Sequence, residues 1–85
     1  MLTGQQIRAA RAALRLSVAE LAHRSEISPA TLHRIEAANG FPDTGAKTMV
    51  RIESALWAAG AIFYDHPDPE NSDGRIRGVF IKSHE

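Results

Sequence analysis

The sequence predicts a mostly α fold: a compact bundle of about four helices followed by a C-terminal β-hairpin. Three observations carry this. Three segments each start with a Ser or Thr cap ahead of apolar residues at helical spacing. A fourth apolar stripe ends at Gly60, a residue suited to the left-handed position after a helix. Two β-prone runs at the end of the chain bracket a polar loop with two Pro and one Gly.

Each element has its own signature. Thr3-Gly4-Gln5-Gln6 reads as a capping box, with Leu2 and Ile7 placed as a hydrophobic staple. It opens a helix over residues 3–14, with Ile7, Ala10 and Leu14 on one face. Ser17-Val18-Ala19-Glu20 repeats the box, with Leu16 and Leu21 as staple, and predicts a short helix over 17–25. Ser28-Pro29 is an N-cap followed by Pro at the first helical position, where a missing N–H costs nothing. Ile27 and Leu32 complete that staple, and the helix is predicted over 28–38, ending at Ala38 before Asn39-Gly40. A loop follows, then a fourth helix over 46–59 with Met49, Ile52, Leu56 and Ala59 inward. The β-prone runs are 61–64 and 75–82, with a loop over 66–74. A lone two-stranded hairpin is marginal in water, so this one must pack on the helices or on another chain.

Composition narrows the function. A chain of 85 residues is one small domain and hides roughly 60% of its unfolded surface. Ten basic residues balance ten acidic ones, which excludes nucleic-acid binding by bulk charge alone. The charge is uneven: residues 1–42 hold five Arg and three acids, residues 43–85 five basic residues and seven acids. The helical half is therefore the basic half. With no Cys there is no disulfide, thiolate zinc site or cysteine nucleophile. No apolar run is long enough for a membrane span, and the first residues lack a signal-peptide pattern, so a cytoplasmic location is expected.

Residues 17–38 hold a short helix, a tight turn and a second well-capped helix. This is the helix-turn-helix layout, whose second helix can enter a DNA major groove. Its residues resemble the Cro-type, lambda-repressor-like helix-turn-helix family. The resemblance lies in Ser17, Leu21-Ala22, Ile27-Ser28, Thr31 and Ile35-Glu36. It extends to the opening Met1-Leu2-Thr3-Gly4-Gln5-Gln6-Ile7, which looks like small bacterial stand-alone members, and to Ile52, Ala55-Leu56, Ala58-Ala59-Gly60, Phe63 and Gly78-Val79. Two positions depart from the pattern. Val18 stands where the family commonly has a Gln that touches a phosphate and braces the recognition helix. Glu26 stands where the turn usually has Gly. In a left-handed backbone a non-Gly residue costs about 1–2 kcal/mol.

The resemblance implies a DNA-binding transcriptional regulator without catalysis or cofactor: residues 1–60 form the DNA-binding domain, and 61–85 a hairpin tail and candidate dimerisation element. It implies a repressor that binds an operator as a homodimer, with helix 28–38 in the major groove. That helix would present Ser28, Pro29, Ala30, Thr31, His33 and Arg34. Arg34 is the candidate base reader, because a guanidinium can take guanine O6 and N7 together. Ala30 and Thr31 suit a thymine methyl or a phosphate, and Ser28 a phosphate at the positive helix end. Lys47 and Thr48, at the start of the fourth helix, are implied as backbone contacts. Arg11 and Glu36 are implied as a structural pair that orients the recognition helix, while Arg8 and Arg15 read as surface charge. Trp57, Ile62, Val79, Phe80 and Ile81 are the dimer candidates; Trp57 falls off the inward stripe of its helix.

Other chemistry has little support. His23, His33, His66 and His84 share no metal-ligand spacing, and Asp65, Asp68, Glu70 and Asp73 lack the order of a calcium loop. Two other readings stand beside the repressor. One is a protein-binding adaptor or antiactivator that keeps the fold without reading DNA. The other is an antitoxin-type autoregulator that also binds a partner protein.

Overall fold

The computed structural model describes residues 1–82, so the last residues of the tail, His84 among them, lie outside the described part. The order is α1 (Gly4–Ala13), α2 (Val18–Arg24), α3 (Pro29–Glu36), α4 (Ala46–Ala59), β1 (Ala61–Pro67) and β2 (Arg75–Ile81). The chain is mostly helical: four helices, then one antiparallel two-strand hairpin.

The helix starts follow their caps. Thr3 Oγ1 accepts the Gln6 N–H while Gln6 Oε1 accepts the Thr3 N–H, which satisfies two end groups at once. Ser17 and Glu20 repeat the exchange at α2. Ser28 Oγ accepts the Thr31 N–H ahead of Pro29. Gly60 ends α4 at φ 112°, in the left-handed region. Two non-glycine residues also occupy that region, Glu26 at φ 57° and Arg15 at φ 58°. Both lie in the tight turns on either side of α2, where the chain reverses too fast for a right-handed residue.

The core is one cluster. Ile7, Leu21, Leu32, Ile35, Ile52 and Leu56 are fully buried, with Leu2, Ala10, Leu16, Ala22, Met49 and Ala61 around them. Burying each large aliphatic side chain is worth about 1.5–3 kcal/mol. α2 packs on α3 and α4, and α1 packs on α3 and on β2.

Two boundaries differ from the sequence expectation. α3 ends at Glu36 with Ala37 as its cap, short of Ala38. The Ala38 N–H bonds to Ile35 O, three residues back, so the last turn tightens and leaves the α-helix. β1 runs on to Pro67, past the expected end at Tyr64, because His66 and Pro67 pair with Ile76 and Arg75. Pro67 is tolerated there as the final residue of an edge strand.

The hairpin docks on α1 through one side chain. Gln6 Nε2 donates to Tyr64 O at 3.3 Å and to Gly78 O at 3.1 Å, while its Oε1 remains in the capping box. A single residue thus closes α1 and seats the centre of the sheet. Phe63 and Val79 pack on the core, and the Lys82 N–H bonds to Gly60 O at 2.8 Å.

Candidate nucleic-acid interface

α3 has an inner and an outer side. Leu32, Ile35 and Glu36 are buried; Ser28, Pro29, Ala30, His33 and Arg34 are exposed, and Thr31 is half-buried. The exposed set is concentrated toward the N-terminus, where helix amides and the macrodipole favour an anion. Ser28 Oγ also donates to Thr31 Oγ1 at 2.8 Å, which leaves the Thr31 hydroxyl hydrogen free to point outward. Arg34 Nη1 donates to Asp43 O at 3.0 Å, tying α3 to the loop that leads into α4. The rest of its guanidinium fork is open to solvent. Lys47 is exposed and Thr48 half-buried in the first turn of α4. Gly45, the N-cap there, supplies no side-chain acceptor, so that turn keeps unfilled donors.

The opposite side of α3 is fixed by α1. Arg11 Nε lies 2.8 Å from Glu36 Oε2 and Arg11 Nη2 lies 3.0 Å from Oε1, a two-pronged ion pair. Arg11 Nη1 donates onward to Leu16 O at 3.0 Å, so one guanidinium links α1, the α1–α2 turn and α3. The Glu36 hydrogen bonds hold the Arg11 pKa above its ordinary value. The Glu36 side chain is only 6% exposed, so the pair is largely shielded from water. Arg8, which reads as surface charge in the sequence, donates from Nη1 to Glu36 O at 2.9 Å and so caps the C-terminal end of α3. Its place one helical turn before Arg11 was the only signal for this role. Gly4 completes the seat. A Cβ there would fall 2.7 Å from Ile35 O and closer still to Ala38 O, so only glycine lets the start of α1 abut the end of α3. The Gly4 N–H donates to Gly40 O, and Gln5 Oε1 accepts the Gly40 N–H, both at 2.9 Å.

Residues 3–56 match the helix-turn-helix domain family. The chain belongs to that family. Membership in this Cro/C1-like family implies DNA binding, with transcriptional regulation as its use, and the family is typically non-enzymatic. A comparison with curated proteins gives no match. No helix among the described residues is long and apolar enough to cross a membrane.

Both departures from the helix-turn-helix pattern have a structural outcome. Val18 packs against the core instead of offering an amide, and lines a shallow groove with Arg8, Arg11, His33, Glu36 and Ala37. Bracing of α3, which a Gln would share, falls to Arg8 and Arg11. Glu26 carries the left-handed strain its position implies. Ser25 Oγ, beside it, is buried without a hydrogen-bond partner.

The family match stops at Leu56, before the hairpin. The hairpin turn is held by polar contacts. Arg75 Nε lies 2.6 Å from Asp65 Oδ1, Arg77 bonds to Asp73, and Arg77 sits 5.0 Å over the Phe41 ring. Arg75 holds the Asp65 carboxyl below the usual range, and Arg77 does the same for Asp73. The five sequence-derived dimer candidates fall in different places. Trp57, Phe80 and Ile81 are exposed, Ile62 is half-buried, and Val79 is committed to its own core.

Proposed function

We propose that the protein is a sequence-specific repressor that binds double-stranded operator DNA as a homodimer, with α3 in the major groove, in the cytoplasm and without a cofactor. One observation supports this above the rest: α3 turns Ser28, Pro29, Ala30, Thr31, His33 and Arg34 outward while Arg8, Arg11 and Gly4 fix its other side. A reading helix needs that combination of a free face and a rigid back.

Each residue has a role in this reading. Arg34 takes guanine O6 and N7. Ala30 and Thr31 meet a thymine methyl or a phosphate, and Pro29 gives apolar contact. Ser28 and His33 face phosphates, and Lys47 and Thr48 hold the backbone from the start of α4. A homodimer on an inverted repeat places half-sites about 34–36 Å apart. Contacts from one α3 are few, so two are needed for useful specificity.

The test is a salt-titrated binding assay with duplex DNA from upstream of the protein's own gene, beside a scrambled duplex. Selective binding is expected, and Arg34→Ala should weaken it by about 1–3 kcal/mol while relaxing specificity. Lys47→Ala should weaken both duplexes alike and flatten the log–log salt slope by about 0.9. Equal, weak binding to both duplexes, indifferent to Arg34→Ala, would overturn the proposal.

A further inference from the structure

The sequence holds two asparagines, Asn39 and Asn71, and their surroundings differ. Asn71 is committed to its turn: its Nδ2 donates to Asp68 Oδ2 at 3.1 Å and to Arg75 O at 2.9 Å. Ser72 follows it, and a side chain there crowds the backbone nitrogen between the two residues. Asn39 is exposed, and its side chain makes no hydrogen bond among the described residues. Gly40 follows it, with no Cβ to shield the nitrogen and open space where one would stand.

An asparagine followed by glycine has a chemistry of its own. The Gly40 nitrogen attacks Asn39 Cγ. The N–Cγ bond forms, the Cγ–Nδ2 bond breaks, and ammonia leaves with the proton of the Gly40 N–H. Water then opens the five-membered imide at either carbonyl. One opening leaves an aspartate in the ordinary backbone. The other routes the backbone through the side chain and lengthens it by one atom. Both add a carboxylate.

The fold places a check on the first step. The Gly40 N–H donates to Gln5 Oε1 at 2.9 Å, so the nucleophile must give up a hydrogen bond before it attacks. Gly40 O accepts the Gly4 N–H at 2.9 Å, which ties the same peptide to the first turn of α1. This seat has no slack, since even a Cβ on Gly4 would fall 2.7 Å from Ile35 O. Arg8 caps the end of α3 from the same helix, at 2.9 Å from Glu36 O. One extra backbone atom between residues 39 and 40 therefore breaks the Gly4 and Gln5 contacts and loosens α1 from the end of α3.

We infer that Asn39 is a site of spontaneous deamidation, gated by the Gln5–Gly40 hydrogen bond, at which the clamp between α1 and α3 ages. The only co-reactant is water, and the site stands whether or not α3 reads DNA.

Ageing the full chain in mildly alkaline buffer, followed by peptide mass mapping, tests it. The mass gain of exchanging an NH for an O is expected at Asn39 ahead of Asn71. The folded chain should react more slowly at Asn39 than the same chain in urea. Gln5→Ala should raise the folded rate about threefold to tenfold, the factor of one exposed hydrogen bond. Gln5 is exposed on α1, where Ala is a good helix former, so circular dichroism of that variant should match the unmodified protein. Gln5→Glu keeps an acceptor oxygen and should keep the rate low. The deamidated fraction should melt below the fresh protein. A folded chain that stays unmodified at Asn39, modification at Asn71 first, or a rate indifferent to Gln5→Ala would each overturn the inference. So would a Gln5→Glu rate equal to that of Gln5→Ala.

Discussion

From Ile7 to Leu56 the helical unit fully buries Ile7, Leu21, Leu32, Ile35, Ile52 and Leu56, whereas in the hairpin only Ala61 is completely enclosed. The helices meet through apolar contact sealed by the Arg11–Glu36 pair. The hairpin is seated by Gln6 on its backbone and closed by exposed Asp65–Arg75 and Asp73–Arg77 contacts. The helical unit spends its apolar residues inside and offers a polar face outward, as a DNA reader requires. The hairpin instead leaves Phe80 and Ile76 outside. The family match, which ends at Leu56, follows the same division.

That contrast predicts a steep gradient of mutational cost, measured by chemical denaturation. Glu36→Ala strands the Arg11 charge in a shielded site and should cost about 3–5 kcal/mol. Adding Arg11→Ala should cost much less than a second independent loss, because the pair acts as a unit. Leu32→Ala opens the core and should cost about 2–5 kcal/mol. Arg75→Ala, which breaks an exposed hairpin pair, should cost under about 1 kcal/mol. Equal losses for Leu32→Ala and Arg75→Ala would break the comparison.

Smaller effects sharpen it. Glu26→Gly relieves a left-handed residue at φ 57° and should raise stability by about 1 kcal/mol. The same exchange at a right-handed helix position would lower it. Acid should act through exposed carboxylates. Asp65, Asp73 and Glu20 all titrate below their ordinary values, held there by Arg75, by Arg77 and by the backbone N–H and hydroxyl of Ser17. Such groups stabilise the fold above the ordinary carboxylate range of about pH 4, and that contribution is lost as pH falls through their lowered values. The thermal midpoint should be flat from neutral to about pH 5 and fall below about pH 4. Asp65→Asn should make the fall shallower.

Much of the helical unit was legible because its signals are local. A cap and its third residue are neighbours in sequence, so Thr3–Gln6, Ser17–Glu20 and Ser28–Thr31 could be read directly, as could Gly60 after its stripe. The Arg11–Glu36 contact spans 25 positions and came from family resemblance, not from spacing. What stayed hidden depends on packing between distant segments. Arg8 gains its role only because α3 ends beside α1, and Gln6 reaches Tyr64 and Gly78 across 58 and 72 positions. The extension of β1 to Pro67 needed its partner strand to be known. Arg15 gives no sign of its left-handed backbone, since nothing in a non-glycine residue announces it. Of the dimer candidates, burial alone separates Val79 from Phe80, which are chain neighbours on opposite faces.

The central claim is a division of labour: the helical unit meets DNA and the hairpin does not. Backbone amide NMR of the full chain, titrated with its operator duplex, tests it most directly. The account predicts shifts concentrated at Ser28 to Arg34 and at Lys47 and Thr48, with Ile62, Tyr64 and Phe80 unchanged from the free protein. Shifts centred on Trp57 and the outer face of the hairpin, with Ser28 to Arg34 silent, would contradict it.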